Sequence, residues 1–180
     1  MEQKVNVWKA TLNSGLILAL IGIVYSLVMY FLDLSLNKVQ GYVFILVQLV
    51  VLFYLVKSYR DNYMHGMISF GQALGAGVVI CLYCSIIMAV FTFILYKFID
   101  PDLVDRTLAM AEEVMLQRGL SQSQMDTAMG VQTKLMKPGF IAGMGIFGSM
   151  FQGLIMSLLI AAFVRREGNP LIDTADQQPE

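Results

Sequence analysis

Four long apolar runs, separated by polar breaks, organise the chain. They extend from about Ala10 to Leu32, Val39 to Val56, Gln72 to Tyr96 and Gly139 to Val164. A bilayer core about 30 Å thick is crossed by roughly 20 apolar residues in a helix rising about 1.5 Å each, so each run predicts a transmembrane helix. Only Asp33 to Lys38 separates the first two runs, which forces an antiparallel helix pair. The second run is the shortest, but no charge interrupts Gly41 to Val56, which favours insertion. The expected fold is all-α and polytopic, a single four-span membrane domain over residues 1–166.

The polar stretches carry their own signals. Lys57 to Gly71 reads as a loop, and Ser69 followed by Gln72 has the spacing of a capping box that starts the third helix. Residues 98–137 form the largest segment outside the apolar runs. Asp100, Pro101 and Asp102 resemble a helix start, with Pro101 at the first helical position and acids near the positive end of the dipole. Val104, Leu108, Ala111 and Met115 then recur at helical spacing. Gly119 suits a helix end and Ser121 a second cap, ahead of an apolar stripe of Met125, Ala128, Met129 and Met136 interrupted by Gln132. These features predict a helical hairpin between the third and fourth spans. Residues 167–180, polar and with two prolines, read as a disordered tail.

Composition agrees with a lipid setting: 57% of the 180 residues are apolar, 14% are charged, and mean hydropathy is +0.68. A net charge of −1 points to no nucleic-acid partner. The first run is too long for the apolar segment of a signal peptide and reaches Asp33 without a small-residue cleavage site, so it reads as a retained span. Orientation follows from the placement of basic residues. Lys4, Lys9, Lys57, Arg60, Arg165 and Arg166 fall on one side of a four-span arrangement, against Lys38 alone in the short turn opposite. The positive-inside rule then puts both termini and the tail in the cytoplasm and the 98–137 hairpin outside it.

Small residues recur along three spans: Gly15, Ala19, Gly22 and Ser26; Ala73, Gly77, Cys81, Ser85 and Ala89; Gly145, Ser149, Gly153 and Ser157. Lipid supplies no hydrophobic drive between helices, so close backbone approach at such rows is what holds a bundle together. The second span has no such row and is expected to be the most lipid-exposed. Asn13, Gln48, Thr92 and Gln152 are the polar side chains in or near spans, suited to interhelical hydrogen bonds. The similar exits Tyr30 to Asp33 and Tyr96 to Asp100 could record a duplicated hairpin, although aromatic residues and a terminal acid are common at membrane interfaces.

Candidate chemistry is sparse. Cys81 and Cys84 have the C-x-x-C spacing of redox dithiols, but reactive thiols need an accessible, electropositive setting, and mid-span cysteines fit helix packing better. His65 is the only histidine, with Asp61 one helical turn earlier, and reads as a solvated loop residue. No zinc set or nucleophile with its base can be assembled, and no carboxylate or basic group lies within a span to carry coupled ions. Scattered methionines in 98–137 favour mutual burial or an adaptable apolar contact over copper binding. The expectation is therefore no catalytic residue, no metal and no cofactor.

Four spans with a polar hairpin before the last, Ser69-Phe70-Gly71-Gln72-Ala73 at the start of the third and Ile99-Asp100-Pro101-Asp102 at its exit, resemble a bacterial family catalogued as domain of unknown function 4199. The resemblance covers nearly the whole chain and implies a bacterial inner-membrane protein. It transfers no catalytic residue, ligand or mechanism. With the lipid bilayer as its medium, the chain is expected to be a noncatalytic scaffold or accessory subunit that meets a membrane or extracytoplasmic protein through residues 98–137. The alternative, a component of a small transporter or channel, requires a homo-oligomer, since one four-helix bundle leaves little room for a path.

Overall fold

The computed structural model describes residues 6–34 and 37–166. These form α1 (Val7–Phe31), α2 (Lys38–Tyr63), α3 (Phe70–Ile94), a π-helical turn (Leu95–Ile99), α4 (Asp102–Gln117), α5 (Gln122–Leu135) and α6 (Pro138–Val164). The helices α1, α2, α3 with its π turn, and α6 are long and apolar enough to cross a membrane. The expected tail, 167–180, lies outside the described residues.

Helix starts follow the local chemistry. Asn6 and Asn37 cap α1 and α2, their side chains accepting from the backbone N–H of Trp8 at 3.1 Å and of Val39 at 2.9 Å. At α3 the capping box forms: Gln72 N–H donates to Ser69 Oγ at 3.3 Å, and Ser69 N–H donates to Gln72 Oε1 at 3.0 Å. Pro138 opens α6, where its missing N–H is not needed.

One boundary differs from the expected one. The stretch Lys57 to Tyr63, read as loop, continues α2 and leaves only a short connection before Ser69. The helical ladder needs no apolar side chains to persist beyond the hydrophobic run. Here Tyr59 is 1% exposed against the core, and Asn62 donates to Ser58 one turn back at 2.9 Å, so the polar turns stay wound.

The interior is built around α3, which packs along α6 on one side and α1 on the other while α2 touches all three. Glycines make these approaches close. A Cβ added at Gly15 would lie 2.4 Å from Tyr83 Cβ, one at Gly77 would lie 2.6 Å from Ser157 Oγ, and one at Gly153 would lie 2.6 Å from Cys81 Cβ. The small-residue rows of α1 and α3 are therefore seams within the chain. On α6 only the second half of the row, Gly153 and Ser157, is a seam; Gly145 is exposed and an added Cβ there meets nothing within 4 Å. Among the four spans α2 buries the smallest share of its most apolar stretch, 17% against 22% in α1 and 28% in α3 and α6. It still sends Leu52, Val56 and Tyr59 into the core.

The end of the bundle formed by the α2–α3 connection is tied to the end of α6. Ile68 and Arg166 form an isolated antiparallel bridge, with backbone bonds of 2.8 and 2.9 Å. Arg60 Nη1 donates to the carbonyl of Val164 at 3.2 Å and its Nε donates to Asp61 Oδ1 at 2.8 Å. A guanidinium at the last turn satisfies a carbonyl that the helix cannot and complements the negative end of its dipole.

Candidate functional site

The α4–α5 hairpin stands at the opposite end of the bundle. The sequence signals place it well: α4 begins at Asp102 just after Pro101, with Asp102 and Asp105 in its first turn. Gly119 takes φ +71°, a left-handed conformation in which the N–H of Gly119 reaches Leu116 O at 2.9 Å and that of Leu120 reaches Met115 O at 3.3 Å. Ser121 and Gln124 then form the capping box of α5. Met125 is buried, and Val104, Leu108, Ala111 and Met115 are half-buried, so the apolar stripe of α4 turns towards the rest of the protein. Of the stripe on α5, Met129 and Met136 are half-buried.

What fastens this hairpin to the spans is an ionic cluster that joins the two similar span exits. The π turn ends with the N–H of Asp100 donating to Leu95 O at 2.9 Å, and the carboxylate of Asp100 is almost wholly buried. Tyr30, near the end of α1, donates its hydroxyl to Asp100 Oδ2 at 3.2 Å. Arg106, on α4, donates to the same oxygen through Nη2, and its Nη1 lies 3.9 Å from Asp33 Oδ1. A buried carboxylate is thus met by a phenol and a guanidinium from two other elements, as a buried charge requires. Beside it, Leu103, Ala109, Met110 and Glu113 of α4 face Tyr30 and Asp33 across a cleft of about 400 Å³. The membership of Tyr30 and Asp33 in one cluster with Asp100 was not visible in the pattern of either segment.

One face of α5 is only partly covered. Ala128, Val131, Leu135 and Met136 line a broad depression together with Ser123, Gln124, Thr127 and Gln132. Val131 is 55% exposed and Leu135 43% exposed. The substantial helix contact of α5 is with α4.

Within the bundle, two of the four polar side chains expected to form interhelical hydrogen bonds do so with each other: Gln152 of α6 donates through Nε2 to Gln48 Oε1 of α2 at 3.2 Å. Gln48, Gln152 and Thr92 line a cavity of about 200 Å³ between α2, α3 and α6. Asn13 is exposed on α1 instead of bridging helices. Cys81 and Cys84 are 2% and 5% exposed, and Cys81 sits against Gly153 as a small packing residue. His65 is exposed with φ +51°, and the carboxylate of Asp61 is engaged by Arg60.

Four apolar spanning helices, capped at one end by a polar hairpin, define a multi-pass helical membrane protein. The family model described as "Protein of unknown function (DUF4199)" matches residues 13–166, most of the chain. The protein belongs to that family. No curated protein and no solved structure matches it.

Proposed function

We propose that the chain is a noncatalytic accessory or scaffold subunit of a bacterial inner membrane, with both termini cytoplasmic, that presents its α4–α5 hairpin to a protein partner outside the cytoplasm. The observation that carries this reading is the exposed apolar side of α5, where Val131 and Leu135 stand uncovered on a helix packed against α4, which the Arg106 cluster anchors. Apolar side chains held on a rigid support, with polar residues around them, have the character of a protein-docking face. The noncatalytic part rests on placement. The two thiols are packed in the bundle core while the one histidine lies exposed beyond α2, so among the described residues neither thiol has the imidazole as a base.

A photo-crosslinker at Val131 in the full-length protein, expressed in its native host, tests the reading. One reproducible heterologous product, lost in a Leu135→Glu background that still folds, supports it. A protein that crosslinks only to itself and moves solute in liposomes belongs instead to the transporter class, and the accessory reading fails.

A further inference from the structure

The cavity between α2, α3 and α6 has a chemistry that helix packing does not use up. Gln48 is only 8% exposed, lies near the middle of α2, and contributes its side chain to the cavity wall. Its Oε1 accepts from Gln152, but both of its own N–H groups lack an acceptor among the described residues, and the pair leaves one further N–H on Gln152. Exchanging the nitrogen and oxygen of the two amides reverses the bond and again leaves N–H groups without an acceptor. Ser85 donates to Leu82 O at 2.8 Å and Ser149 to Gly145 O at 2.6 Å, and neither hydroxyl oxygen is hydrogen-bonded to Gln48 or Gln152.

In an apolar medium an amide donor without an acceptor is unfavourable, so a molecule that brings an acceptor to this point gains what the bundle leaves unmade. The rest of the wall decides what kind of molecule. Phe44, Met88, Ile141 and Ala142 are apolar, and no lining side chain carries a formal charge at neutral pH. An anion would be stranded there. The volume, about 200 Å³, admits a single ring or a short chain. Because Gln48 and Gln152 both sit near the middle of spanning helices, the acceptor must reach mid-bundle depth, well below the polar ends where phospholipid ester carbonyls reside.

We infer that this cavity is a binding site for the ring carbonyl of an uncharged, membrane-soluble, quinone-like compound, with the Gln48 amide as donor and Phe44, Met88 and Ile141 holding the ring. This goes beyond the accessory reading and does not depend on the hairpin.

The test uses duroquinone, a fully substituted ring with no position open to the thiols, and durene, the same ring without carbonyls. Both are titrated against the full chain in nanodiscs, with empty nanodiscs correcting for partition into lipid. Saturable duroquinone binding, at least about tenfold tighter than durene, is expected, the scale of one hydrogen bond made where none existed. Replacing Gln48→Met and Gln152→Met together keeps the side-chain lengths, removes the donors of both amides and should bring the two ligands to equal affinity; Ala142→Leu, which fills the cavity, should weaken both. Equal binding of the two rings by the wild type, or no saturable binding above empty nanodiscs, overturns the assignment whether or not either variant folds.

Discussion

Arg106 and Asp100 share a hydrogen bond in which a half-exposed guanidinium on α4 meets a buried carboxylate at the end of the π turn. Six residues apart in sequence, they belong to different elements, and the bond sets how the hairpin leaves the membrane-spanning bundle. Tyr30 approaches the same oxygen from 70 residues away, so the cluster also ties α1 to the hairpin.

Arg106→Ala leaves the Asp100 carboxylate with the Tyr30 hydroxyl as its remaining side-chain donor, and should cost about 1–3 kcal/mol, discounted towards the lower end because Arg106 is half in solvent. The loss should be local. Limited proteolysis between α4 and α5 is expected to speed up while the spans remain protected. Unchanged cleavage at Gly119 to Ser121 would mean that the hairpin is held by other contacts.

The α6 row provides an internal comparison. Gly153→Ala pushes a methyl to 2.6 Å from Cys81 Cβ and 2.8 Å from its sulfur, whereas Gly145→Ala meets open space. Overpacking typically costs about 1–3 kcal/mol, while alanine in place of an unhindered helical glycine gains up to about 1 kcal/mol. Melting in detergent should fall for the first and hold or rise for the second. If the two variants melt alike, the α3–α6 seam is wrongly placed. Leu46→Phe is the matching control on α2, since Leu46 is 62% exposed while Leu49 packs against the core.

Tyr59 presents a different case: its ring is fully buried, yet its hydroxyl has no hydrogen-bond partner among the described residues. Tyr59→Phe should therefore leave stability unchanged or raise it by about 1 kcal/mol, and Tyr59→Ala should lower it by about 3–5 kcal/mol through the cavity left behind. A clear loss for the phenylalanine variant, read by thermal unfolding, would show that the hydroxyl is engaged in the membrane.

Orientation is open to direct measurement. In a Cys81→Ala/Cys84→Ala background, Gln122→Cys on the hairpin should react with a membrane-impermeant maleimide in intact cells, and His65→Cys only after permeabilisation. Reversed accessibility would invert the topology; labelling of both from one side would change the number of spans.

Hydropathy alone located the four spans, because apolar runs of this length have few alternatives in lipid, and the caps at Ser69, Ser121 and Pro138 could be read because they act within one helical turn. Contacts between distant segments left no such trace. The Tyr30–Asp100 bond joins residues whose local patterns look like ordinary interface ends, and Arg60 reaches Val164 across 104 positions. The end of α2 was misplaced for a related reason: Lys57 to Tyr63 looks polar in a line of letters, but Tyr59 turns inward every time the helix is wound. A row of small residues likewise shows where helices can approach. It did not show that Gly145 borders a cavity and Gly153 a seam.

The bridge between Ile68 and Arg166 also sets a timetable for biogenesis. During synthesis α3 emerges with α1 available on one flank, but its other flank has no mate, and the Arg60 guanidinium only the neighbouring Asp61, until α6 has been made to its last turn. Until then the Gly77 and Cys81 side of α3 faces lipid or whatever escorts the nascent chain. Closure of the bundle thus waits on residues 164–166, and a ribosome that stalls before them releases three inserted helices with an unsealed seam.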